Sequence, residues 1–230
     1  MGSRVILQYL TLAALAGVIA GVPLPRGVDP RYGKLFQGDI KLPPGFDIKT
    51  GSLGITTAAD ERNLILGALG EISDKTCIRF VQRTNERDWV FIDRGTANSG
   101  CWSYVGKIGG RQPLNLQPGP GPHCIWHGTM AHEMIHAIGF FHEQSRIDRD
   151  DYVIIQWDNI QPGTAHNFDK INTDAQGVTY DYLSLMHYDA YAFALDPSRP
   201  TIVPKIDTPI GQNDGLTDKD AQKIRTMYRC

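Results

Sequence analysis

The chain has almost no net charge: across 230 residues, 23 lysines and arginines stand against 25 aspartates and glutamates, leaving −2. With no basic footprint, nucleic acid is not an expected partner. Beyond Ile19 no apolar stretch approaches the length of a membrane span. Internal repeats and coiled-coil heptads are absent, and no N-x-[ST] sequon offers a site for N-glycosylation. Cysteine is scarce, with four residues in all. The rest of the composition, 41% apolar and 21% charged, is that of an ordinary globular protein. The length suits one domain with a short appendage.

The chain begins with a secretory pattern. Arg4 supplies the positive charge, Val5 to Ile19 is mostly apolar, and the small residues Ala20-Gly21 follow. Residues 1–20 therefore read as a signal peptide, which makes the protein extracellular and free of the membrane once it is cleaved. Four cysteines in an exported chain suggest two disulfides, with three pairings open. Residues 21–50 are rich in proline and glycine, as in Val22-Pro23-Leu24-Pro25-Arg26-Gly27 and Lys41-Leu42-Pro43-Pro44-Gly45, and read as a propeptide. Residues 51–230 form the remaining domain.

Within that domain Thr57 is placed to cap a helix, with Asp60 as its capping-box partner. Leu64, Ile65, Ala68, Leu69 and Ile72 give this helix an apolar stripe. Strand-like runs follow at Cys77–Val81 and Trp89–Ile92, with shorter ones at Trp102–Val105 and Leu114–Leu116. A second helix is expected over His127–Gly139 after a Pro/Gly loop at 117–122. Few periodic segments come after it until Asp218–Tyr228, a terminal helix capped by Thr217. This is an α+β arrangement in two lobes.

The second helix carries the chemistry. His132-Glu133-Met134-Ile135-His136-Ala137-Ile138-Gly139-Phe140-Phe141-His142 reads H-E-x-x-H-x-x-G-x-x-H. Residues four apart share a helical face, so His132 and His136 can offer two imidazoles to one ion. Glu133, beside His132, is placed to take a proton from a water on that ion. His142 is too far along for the same face, and Gly139 supplies the left-handed turn that brings it back. Three neutral imidazoles leave a coordination position open, which marks a catalytic zinc site, one Zn2+ per chain, and not a structural one. Met130, Ala131, Met134, Ile135, Ala137 and Ile138 make the helix apolar around these groups. Burying three histidines and a glutamate there would be costly unless they hold something.

The long motif is that of the metzincins, zinc endopeptidases whose chain later passes beneath the metal in a Met-turn. Phe140-Phe141-His142-Glu143-Gln144-Ser145-Arg146, Asp148-Arg149-Asp150 and Ser184-Leu185-Met186-His187-Tyr188 resemble the astacin family more narrowly. The likeness runs from about Asp74 to Cys230 and includes Lys75–Phe80, Gly100–Gly106 and Gln161–Phe168. It implies a two-lobed metzincin-like fold: a twisted sheet with two long helices in the first lobe, an irregular second lobe ending in a helix, and the zinc cleft between them.

Further expectations follow from the resemblance. Hydrolysis of internal peptide bonds in protein or peptide substrates is implied, by a monomer synthesised as a zymogen. Glu133 is the implied general base and later the acid. Tyr188 is implied as a zinc ligand that swings away to stabilise the oxyanion, and Met186 as an apolar floor beneath the ligands. The disulfides implied are Cys101–Cys124 and Cys77–Cys230. Asp39, in Phe36-Gln37-Gly38-Asp39, matches the propeptide aspartate that blocks the zinc. Glu143 matches a residue that contacts the mature N-terminal amine through water. Arg111–Leu116 resembles the upper-rim edge strand that holds substrate.

The chain departs from the family in two places. Lys41–Ile55 lacks the W-x-x-x-x-I-P-Y strand and is shorter than the family pattern, leaving Lys41 and Lys49 as candidate activation cuts. Ile210-Gly211-Gln212 is followed by Asn213 where many members have arginine, so a preference for acidic residues does not carry over. With the chain ending at Cys230, no CUB- or EGF-like appendage is expected. The alternative reading is a secreted zinc-binding module that is inactive or permanently latent because of the shortened segment.

Overall fold

The computed structural model describes residues 40–41, 59–119 and 123–230. The expected signal peptide, nearly all of the expected propeptide including Asp39 and Lys49, and the expected cap Thr57 lie outside the described residues.

Helix α1 (Ala59–Lys75) buries Ile65, Ala68 and Ile72, the centre of the expected stripe, while Leu64 stands at its exposed margin. Its C-terminal carbonyls are gathered by side chains. Thr76 Oγ1 donates to Ile72 O at 2.6 Å, and Arg79 Nη1 donates to Ser73 O and Thr76 O at 2.8 Å. The same hydroxyl accepts from Ile78 N at 3.1 Å. These bonds explain a correction: Cys77–Val81 is irregular, not a strand. Its backbone is tied to the helix end, although Ile78 and Phe80 still pack on the core.

The main sheet has the order β1-β3-β4-β2, with β1 at Ile40–Lys41, β2 at Trp89–Arg94, β3 at Cys101–Tyr104 and β4 at Arg111–Leu116. β4 runs parallel to β2 from Trp89↔Arg111 to Arg94↔Leu116, and meets β3 in antiparallel fashion at Cys101↔Leu116 and Trp102↔Asn115. The expected edge strand 111–116 is therefore interior, consistent with full burial of Leu114 and Leu116. The rim position belongs to β3, and its outer edge carries β1 in parallel register, Ile40↔Ser103 and Lys41↔Tyr104.

Helix α2 (His127–Ile138) lies between α1 and this sheet. Met130, Ala131, Met134, Ile135 and Ile138 join the α1 stripe, Leu114 and Leu116 in one core. A Cβ on Gly128 would fall 2.0 Å from the Asn213 carbonyl oxygen, so only glycine lets the 211–215 loop approach the first turn of α2.

After Gly139 the chain is mostly short 3-10 turns, with one two-stranded antiparallel ribbon of β5 (Val153–Ile155) and β6 (Ile202–Pro204). A separate core of Val153, Ile155, Ile160, Phe168, Tyr180 and Ile202 holds this second lobe. Helix α3 (Asp218–Tyr228) begins with a capping box between Thr217 and Asp220 and returns to the first lobe. Ile224 enters the first core, Tyr228 OH donates to Ile138 O at 2.7 Å, and Arg225 Nη1 donates to Lys75 O at 2.6 Å. Disulfides join Cys77 to Cys230 and Cys101 to Cys124. The two-lobed α+β arrangement is the one expected.

Candidate metal centre

His132 and His136 leave α2 on one face, with ring centroids 4.7 Å apart and planes nearly perpendicular. Gly139 then ends the helix at φ 126°, and its N–H donates to the carbonyls of Ile135 and His136 at 3.1 and 2.8 Å. Few side chains tolerate that backbone angle, and an added Cβ would also sit 3.2 Å from Met227 Cε. The reversed chain brings His142 back, its ring 4.7 Å from His136 and 5.2 Å from His132. One nitrogen from each ring lies within 4.8 Å of the others.

Neighbouring carbonyls fix which nitrogens face the centre. His132 Nδ1 lies 2.9 Å from Leu185 O, and His136 Nδ1 lies 2.7 Å from Phe140 O. A carbonyl only accepts, so both rings carry their hydrogen on Nδ1 and present a lone pair at Nε2. Nε2 of His132 and Nε2 of His142 are 3.2 Å apart. Zn–N bonds of about 2.0–2.1 Å in a tetrahedron require donors about 3.3 Å apart. The donor set therefore fits one zinc ion, with room for a fourth ligand.

Glu133, the next residue after the first ligand, is 1% exposed. The turn at 184–187 meets the first histidine through Leu185 O. Met186 is buried, its N–H donates to Ser184 Oγ at 3.0 Å, and its carbonyl accepts from Glu143 N at 2.8 Å. Tyr188 stands with its ring 4.6 Å from that of His142, against Phe168 and Phe193. Its main-chain N–H donates to Gln144 Oε1 at 3.0 Å. His187 turns the other way: Nδ1 donates to Tyr188 O and Nε2 accepts from Tyr180 OH, each at 2.7 Å. Burial lowers its pKa from 6.5 to about 4, which keeps it neutral.

Three supporting residues were not singled out from sequence. Asp220 accepts from Ser184 Oγ at 2.5 Å, Leu185 N at 2.9 Å and Thr217 N at 3.2 Å, so the first turn of α3 grips the 184–187 turn whose Leu185 carbonyl meets His132. Burial pushes its carboxyl above the usual range, against those three donors. Gln144 and Lys223 are the others. The Thr217-to-Asp220 capping spacing was a legible signal, but its long-range partners were not.

A sequence profile of the peptidase family described as Astacin matches residues 53–229. The chain belongs to the astacin family of zinc metalloendopeptidases. Among its astacin relatives, high choriolytic enzyme 1 of Oryzias latipes is 43% identical over 168 residues, covering 72% of this chain and 60% of that protein. Zinc metalloproteinase nas-14 of Caenorhabditis elegans is 43% identical over 176 residues, 74% of this chain and 34% of its own length. The chain thus spans between about one third and three fifths of these relatives. The solved high choriolytic enzyme 1 superposes with a TM-score of 0.72 at 41% identity, over 77% of this chain and 86% of that one. Myroilysin, 20% identical with a TM-score of 0.52 over 76% and 89% of the two chains, shares the fold.

Proposed function

We propose that this chain is a secreted endopeptidase, made as a zymogen, that hydrolyses internal peptide bonds of proteins outside the cell and acts as a monomer. The observation that carries the reading is the convergence of His132, His136 and His142 on one point, with the buried Glu133 beside the first of them. Zinc at that point supplies Lewis acidity, polarising a carbonyl and bringing a water's pKa towards about 7. The protein's own groups do the rest. Glu133 takes the proton of the attacking water and delivers it to the leaving amine. The Tyr188 phenol, its ring beside that of His142, would be a further group to hold the metal and would supply a hydroxyl to donate to the developing oxyanion. Met186 closes the floor with apolar surface and excludes water from beneath the ligands.

Latency finds support at the rim. The outer edge of β3 is where an extended peptide would add a strand. Ile40–Lys41 lies there, immediately after Asp39, whose carboxylate is a competent zinc ligand. Removing this segment frees the edge. The same pairing favours the rival reading, a permanently latent module, if no cut follows it. Casein hydrolysis before and after limited trypsin treatment, with Glu133→Ala alongside, decides between them. Turnover that appears only after trypsin and only with Glu133 fits the zymogen. Equal rates in both proteins would remove Glu133 from the mechanism, and no turnover in either favours the latent module.

A further inference from the structure

Glu143 follows the third histidine directly and is almost completely buried. Its carboxylate is fully engaged. Oε1 accepts from Arg146 Nη1 at 3.0 Å and from Asp181 N at 2.9 Å, and Oε2 accepts from the ammonium of Lys223. Its main-chain N–H meanwhile holds Met186 O. One residue thus links His142, the 184–187 turn and the 178–181 segment. Arg146 does not neutralise it alone. The same guanidinium makes two bonds to Asp148, at 2.9 and 2.7 Å, and one to Val178 O at 3.1 Å. The cation that balances Glu143 is Lys223, itself buried on the inner face of α3.

Lys223 and Glu143 also share the wall of a cavity of about 660 Å³ behind the ligands, together with His142, Met186, Arg146 and Asp174. A buried carboxylate needs a nearby cation, or it becomes an uncompensated charge that distorts its surroundings. We propose that Lys223 is a built-in counter-cation for Glu143, a positioning residue that holds the third zinc ligand in place without any cation delivered from the amino end of the chain. Order at the metal centre is then independent of N-terminal processing, and the propeptide cut serves to clear the rim and to withdraw Asp39 from the zinc. The inference rests on the zinc reading of the three histidines.

The test uses the full, uncut chain loaded with zinc and measures metal release to a chromophoric chelator, with the melting curve recorded in parallel. Wild type should hold one zinc per chain. Lys223→Met should release it about 10–100-fold faster, as loss of a group supporting a ligand typically does, and Lys223→Arg should stay near wild type. Methylammonium, small enough for the vacated space, should slow release from Lys223→Met. Tetramethylammonium, which has no N–H to donate, should not. Lys223→Met should make no further difference in a Glu143→Gln background, where no carboxylate awaits a partner; that background also serves if the single variant folds poorly. The proposal is overturned if Lys223→Met keeps zinc as wild type does, if both ammonium ions act alike, or if the lysine matters equally in both backgrounds. Wild type holding no zinc would instead sink the metal reading.

Discussion

The Nδ1 nitrogen of His132 donates to the carbonyl oxygen of Leu185, 2.9 Å away and 53 residues further along the chain. The N–H of that same residue donates to Asp220 at 2.9 Å. The peptide of Leu185 is thus held between a ligand on α2 and a carboxylate on α3, and the orientation of the first imidazole depends on a helix at the far end of the sequence.

Replacing Asp220 with asparagine turns one acceptor oxygen into an amide that faces donors. Zinc affinity, measured by chelator competition, should fall about 10–100-fold. Thr217→Ala removes the other half of the capping box and should cost about 1 kcal/mol of stability while leaving affinity nearly unchanged. Equal effects on affinity would mean that Asp220 acts only as a helix cap.

Tyr188→Phe keeps the ring against His142 and removes the hydroxyl. If that hydroxyl meets the oxyanion, kcat should drop about 10²–10³-fold with KM and zinc content little changed. A variant that loses metal instead would assign the tyrosine a purely ligating role.

The neutral, buried His187 makes stability fall with acid. Its folded-state pKa, about 4, lies below the ordinary 6.5. As pH drops below 6.5 the unfolded chain gains a proton that the folded chain refuses, and the penalty grows until pH reaches about 4. A displacement of that size corresponds to about 3 kcal/mol. His187→Gln should flatten urea-melt stability over this window relative to wild type while leaving the neutral-pH value within about 1–2 kcal/mol. Parallel curves would place the acid sensitivity elsewhere.

The Cys77–Cys230 bridge spans 153 residues. Changing both cysteines to serine should lower unfolding free energy by about 5 kcal/mol in the chain-entropy model, read by denaturant titration. A loss below about 1 kcal/mol would mean that the non-covalent contacts of α3, among them the Arg225–Lys75 and Tyr228–Ile138 bonds and the burial of Ile224, keep it docked without the bridge.

What could be read from the sequence was what depends on local spacing. The His132/His136 pair, the turn at Gly139, the Thr217 cap and the limits of α3 are all set within a few residues. Both disulfide pairings came from family resemblance, since four cysteines alone left three pairings open. The failures share a cause. Cys77–Val81 has strand-forming residues, yet Thr76 and Arg79 bind its neighbours to the end of α1. Neither Arg111–Leu116 nor Cys101–Tyr104 carries a local signal of its place in the sheet, and only the ladder decides that the first is interior and the second is the rim. Asp220 and Lys223 look like surface charges on an amphipathic helix. Their burial follows from how α3 docks, which no local pattern encodes.

On the function proposed above, the protein would work among molecules able to cut it. The loop at 172–177, with Asn172, Asp174 and Gly177 exposed, joins the part of the chain that carries the histidines to the part that carries Tyr188. Because Cys77 and Cys230 lie on opposite sides of that loop, a single break there yields two polypeptides still joined through sulfur. Neither fragment can diffuse away, and a nicked molecule survives as one covalent body until it meets a reductant.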